Sequence, residues 1–107
     1  MTSIKRIERI KALLIAEPKD TFLQYALAIE YIAENDDERA KEILENLLES
    51  NPEYVATYYH LGKLYERLGI NETALAVYER GIEISTEQKN FKNAAEIRNA
   101  MDELLDN

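Results

Sequence analysis

Few side chains in this sequence have the type and spacing that chemistry requires. His60 is the sole histidine and there is no cysteine. A histidine in a groove can serve as a general acid or base. No serine, carboxylate or metal-ligand pattern stands at a spacing that would orient His60, so it reads as a hydrogen-bonding residue. The run Glu34-Asn35-Asp36-Asp37-Glu38 suggests calcium. It lacks the Asp-x-Asp-x-Asn-Gly spacing of a calcium loop, and acids at a helix start are favoured by the helix dipole. Paired carboxylates, a nucleophile triad and a phosphate-cradling glycine loop are all missing. The residues point to recognition without catalysis, with no cofactor and no metal.

Composition narrows the partner. The 107 residues carry a net charge of −8, with a pI near 4.7. Nucleic-acid binding rests on neutralising phosphates, and an anionic membrane surface also attracts basic segments, so neither partner is expected. The absence of cysteine excludes disulfides, thiolate metal sites and thiol nucleophiles. Three Gly and two Pro disfavour an all-β fold. Charges continue from Lys5 through Lys11, and the longest apolar stretch near the N-terminus is Ala12 to Ala16. That is far short of the roughly 20 residues needed to span a bilayer. A soluble cytoplasmic protein is expected, complete as it stands because it starts with Met and has no low-complexity tail.

An internal repeat organises the rest. Aligning 21–54 with 55–88 without gaps gives eight identities. Four are Glu. The others, Tyr25/Tyr59, Leu27/Leu61, Tyr31/Tyr65 and Ala40/Ala74, are aromatic, apolar or small, as repeated packing requires. The same shift carries Pro52 onto Pro18 and aligns Ile10, Leu13 and Leu14 with Leu44, Leu47 and Leu48.

Each repeat reads as two helices. Thr21-Phe22-Leu23-Gln24 has a capping-box pattern, predicting a helix from Thr21 to about Glu34. Asn35 tolerates the left-handed stop, and Asp36 or Asp37 caps a second helix to about Ser50. In the second repeat the helices cover about Glu53–Leu68 and Glu72–Gln88, with Gly69 as the turn and Asn71 as the cap. A first helix spans Ser3–Ala16 and a last one Phe91–Leu105. Thr86 stands where the repeat would place Pro, so the fifth helix is free to run past Ser85.

The pattern Tyr58-x-x-Leu61-Gly62-x-x-Tyr65, then Ala74 and Tyr78, resembles the tetratricopeptide repeat family. Leu27, Ala28, Tyr31, Ala40, Leu44 and Pro52 match it in the first repeat. Leu47 where the second repeat has Gly81, and Gln24 where the family often has an aromatic, depart from it. The resemblance implies an all-α fold of about six helices, antiparallel helix-turn-helix repeats stacked in a short right-handed α-solenoid. It implies one domain over 1–107: a half-repeat helix at 3–20, repeats at 21–54 and 55–88, and a capping helix at 89–107.

In that family the first helix of each pair lines a concave surface for peptides or partner helices. By position, the resemblance implies a groove of Phe22, Tyr25 and Ile29 with Tyr59, His60, Lys63 and Arg67, joined by Asn93, Ala94 and Ile97 of the last helix. One branch clamps chaperone C-termini with Lys, Asn and Arg. The matching positions here hold Tyr25, Ile29, His60, Asn90 and Ala94, none of them cationic, so that role is not expected. The implied partner is a segment of another protein.

A second reading is a structural homo-oligomer, a homodimer for example. The first helix is locally basic, with Lys5, Arg6, Arg9 and Lys11 against Glu8, whereas Glu30 to Glu53 holds nine acids against Arg39 and Lys41. Opposite charges would favour contact between copies. Ile4, Ile7 and Ile15 flank the row Ile10, Leu13, Leu14. Packing needs one row, and an exposed remainder would mark a self-association patch.

Overall fold

The architecture follows from a computed structural model that describes residues 3–106. Six helices run in chain order: α1 Ser3–Ala16, α2 Thr21–Ala33, α3 Asp37–Ser50, α4 Ala56–Arg67, α5 Asn71–Glu87 and α6 Phe91–Leu105. No strand occurs among the described residues. The fold is all-α and built of helix-turn-helix pairs, as the repeat requires. Two compact units divide it, Met1–Asn51 and Pro52–Asn107.

In the first unit α2 packs on α1 and on α3. Ala28, Ala40, Leu44 and Leu47 are buried between them together with Leu27 and Tyr31. Small residues at 28 and 40 let the two helix backbones approach. The α2–α3 turn closes at Asn35, whose φ of 62° lies in the left-handed region that Asn tolerates. Asp36 then caps α3, accepting from the Arg39 amide at 3.2 Å and pairing with the Arg39 guanidinium at 2.8 Å. The acidic run is therefore a helix start. Arg6 of α1 donates to Glu30 of α2 at 2.6 Å.

Helix α1 uses a different row from the one its alignment suggested. Ile7 is buried and Ile10 and Leu14 are half-buried, whereas Leu13 is exposed with Ile4 and Ile15. Residues 7, 10 and 14 stand one and two turns apart and form one stripe, so α2 takes that row and leaves Leu13 beside it.

In the second unit α5 packs on α4 and α6, and α4 also reaches α6. Its core holds Tyr58, Leu61, Leu64, Tyr78, Ile84 and Ile97. Gly69 closes the α4–α5 turn with φ of 79°, and Lys89 closes the α5–α6 turn with φ of 60°. Helix α5 does run past Ser85, to Glu87.

Three helix starts differ from the sequence reading. The α2 cap is Asp20, which accepts from the Leu23 amide at 2.8 Å. Gln24 turns back to the Pro18 carbonyl at 2.7 Å, and Thr21 accepts from the Asn51 side chain at 3.2 Å. Helix α4 begins at Ala56, later than Glu53. Pro52 and Glu53 form a turn instead, held as the Tyr58 hydroxyl donates to the Pro52 carbonyl at 2.7 Å. Asn71 is the first residue of α5, and the cap position is Ile70, with no side-chain cap.

Candidate functional site

Each unit presents one helix face opposite its buried stripe. On α2 the buried residues are Leu27, Ala28 and Tyr31. Phe22, Tyr25 and Ile29 recur at intervals of three and four, which sets them on the far side of the helix. Phe22 is 63% exposed, and Tyr25 and Ile29 are half-buried. This is an apolar strip with one hydroxyl.

The corresponding face of α4 lies opposite Leu61, Gly62 and Tyr65, which are buried. It holds Tyr59, His60 and Lys63, half-buried, and Arg67, exposed. The rings of Tyr59 and His60 meet edge-to-face at 5.3 Å and 89°. The Lys63 ammonium stands 5.9 Å from the centroid of the Tyr59 ring, within the range of cation–π attraction. It also lies 3.9 Å from Glu66 and 4.0 Å from Glu103. The Lys63 and Glu66 side chains are largely shielded from solvent, whereas Glu103 is exposed, and both contacts are long for an ion pair.

Helix α6 completes this cluster with residues that sequence reasoning missed. A surface cleft of about 200 Å³ is lined by Tyr59, Lys63, Glu96, Asn99, Ala100 and Glu103. Glu96, Asn99 and Glu103 share one face of α6 by helical spacing, but that period does not say which face of α6 meets Tyr59. Of the expected α6 contributors, Ala94 and Ile97 are buried in the core of the unit, while Asn93 is half-buried beside the Asn90 cap.

Burial holds the His60 pKa below its ordinary value, and the Arg67 cation pushes it the same way, against a smaller opposing pull from Glu96. The imidazole is neutral at neutral pH, able to donate and to accept one hydrogen bond. Among the described residues no group of His, Asp or Glu gathers to hold a metal ion, and no helix is long and apolar enough to cross a membrane.

The tetratricopeptide repeat profile matches residues 23–54 and 55–88. The chain belongs to the tetratricopeptide repeat family. It is similar to a tetratricopeptide repeat domain protein of Salinibacter ruber, with 42% identity over 80% of this chain and 96% of that one and a TM-score of 0.78 to its crystal structure. The solution structure of the Salinibacter ruber domain gives a TM-score of 0.77 over 81% of this chain and 88% of that one. A protein of Bordetella parapertussis shares the fold, at 21% identity, a TM-score of 0.81, and coverage of 92% of this chain and 86% of that one. No curated protein matches the sequence. Members of the family generally act as protein-interaction modules and non-catalytic scaffolds.

Proposed function

We propose that this protein is a non-catalytic interaction module that takes a peptide or helical segment of a partner protein. The binding residues are Phe22, Tyr25 and Ile29 on α2, and Tyr59, His60, Lys63 and Arg67 on α4. The observation that carries this reading is the placement of Tyr59 and Lys63. They stand together on the one side of α4 that the core leaves open, at the rim of a cleft. Tyrosine supplies a rigid, amphipathic contact at low entropic cost. The stacked, loosely paired Lys63 adds a cation that favours an acidic group on the segment. The Phe22 strip adds apolar contact of the kind that dominates hot spots. A footprint this small supports micromolar affinity, raised only where a second contact adds avidity.

A displayed library of random peptides, selected on the purified protein, tests this. Selected peptides are expected to share apolar and acidic positions and to lose about tenfold or more in affinity to Tyr59→Ala, the cost of one hot-spot residue. Selected peptides that bind Tyr59→Ala and Tyr25→Ala as well as wild type would remove these faces from the site.

A further inference from the structure

The flank of α1 beside its buried row has an order that fits itself. Ile4, Glu8, Lys11 and Ile15 are all exposed, and Ile15, at 84%, is the most exposed of the large apolar residues. Their spacing of four, three and four places them on one stripe of the helix. Read along it, the stripe is apolar, acidic, basic, apolar. Ile4 and Ile15 are equally far from the midpoint between Arg9 and Ile10, and so are Glu8 and Lys11.

We propose that this stripe is a self-pairing surface on which a second copy of the chain docks its own α1 antiparallel. A two-fold axis at the midpoint sets Ile4 of one copy against Ile15 of the other. It sets Glu8 against Lys11 twice. Such an isologous interface uses one patch on both copies, and all four contacts are complementary. A parallel arrangement would place Glu8 on Glu8 and Lys11 on Lys11, which repel. The surroundings supply a socket. A cleft of about 370 Å³ opens beside Ile4 and Ile7, lined also by Tyr31 and by the charged Glu8, Lys11, Glu34, Asp36 and Arg39. It adjoins Ile4, the residue that the opposing Ile15 meets in this arrangement. The Lys11 ammonium rests 5.7 Å from the centroid of the Tyr31 ring, at the edge of that socket and within reach of an opposing carboxylate. One pair of four-turn helices buries less than the roughly 1,200 Å² of a standard stable interface. The product is a concentration-dependent dimer.

The test is sedimentation velocity on the full chain from low micromolar to near-millimolar concentration, with circular dichroism to verify that each variant is folded. Wild type is expected to pass from monomer to dimer. Glu8→Lys and Lys11→Glu each create two like-charge contacts and are expected to weaken the dimer about tenfold or more. An equimolar mixture of these two variants restores both contacts in trans and is expected to dimerise again, as is the double exchange Glu8→Lys/Lys11→Glu. A wild type that stays monomeric throughout would overturn the proposal and leave α1 to a different protein. Single variants that dimerise like wild type, or a mixture that fails to recover, would overturn it equally.

Discussion

Gly62 of α4 lies against the ring of Tyr78 of α5 so closely that a Cβ at position 62 would fall 2.6 Å from the ring Cζ. The contact is reciprocated. A Cβ on Gly81 of α5 would fall 2.6 Å from the Cβ of Tyr58 on α4. Each helix thus gives a tyrosine and receives one on a glycine, and both rings are fully buried. This interlock fixes the α4–α5 pair, and with it the side of α4 that faces away and carries Tyr59 and Lys63.

Gly62→Ala is expected to destabilise the protein by about 1–3 kcal/mol, the usual cost of overpacking, lowering Tm by several degrees. The sign is diagnostic. Helix propensity alone would make alanine stabilising by about 1 kcal/mol. Urea unfolding followed by circular dichroism reads the difference.

The same interlock explains what the sequence could and could not show. Small residues at Ala28/Gly62 and Ala40/Ala74 recur in phase, so the helix pairs were legible. The departures at Gln24/Tyr58 and Leu47/Gly81 read separately as irregularities. In the second unit positions 58 and 81 prove to be one contact, and the first repeat carries Gln24 and Leu47 at the matching positions. A surface depression of about 470 Å³ beside Gln24 lies where the second repeat has its tyrosine. Helix starts were less legible because neighbouring residues compete for one cap. Asp20 takes the Leu23 amide, although Thr21 completes the sequence motif. The left-handed φ of Lys89 carries no residue signal, unlike Asn35 or Gly69. The α6 side of the Tyr59 cleft depends on how α6 packs against α4, and no local pattern states that.

The Tyr78 hydroxyl donates to Glu66. Burial first, then this hydrogen bond and nearby acidic charge, raise the Tyr78 pKa far above its ordinary 10.0. The unfolded chain releases this proton near pH 10 while the folded chain keeps it. The stabilisation is therefore full below pH 10 and is lost as pH climbs beyond it. Stability is expected to fall by up to about 1.4 kcal/mol per pH unit for this group in that range. Tyr78→Phe should cost about 1–2 kcal/mol at neutral pH and flatten the alkaline slope. Tyr58, whose pKa burial also raises, leaves a residual slope. Denaturant titrations at a series of alkaline pH values check both.

Ser85 and Thr57 are fully buried, and neither hydroxyl has a hydrogen-bond partner. An orphaned buried polar group costs free energy that an apolar replacement recovers, and alanine is the better helix former. Ser85→Ala is expected to raise stability by about 1 kcal/mol. Thr57→Val should act in the same direction. Calorimetric Tm values above wild type would show it, and a fall would indicate partners for these hydroxyls.

The most direct test of the interaction-module account is a backbone-amide NMR titration with a peptide taken from the display selection. The account predicts saturable shifts along the open faces of α2 and α4, centred on Tyr25, Ile29, Tyr59 and Lys63, with α6 responding at Glu96 to Glu103. Saturable shifts confined to α1 or α3, with α2 and α4 silent, would contradict it.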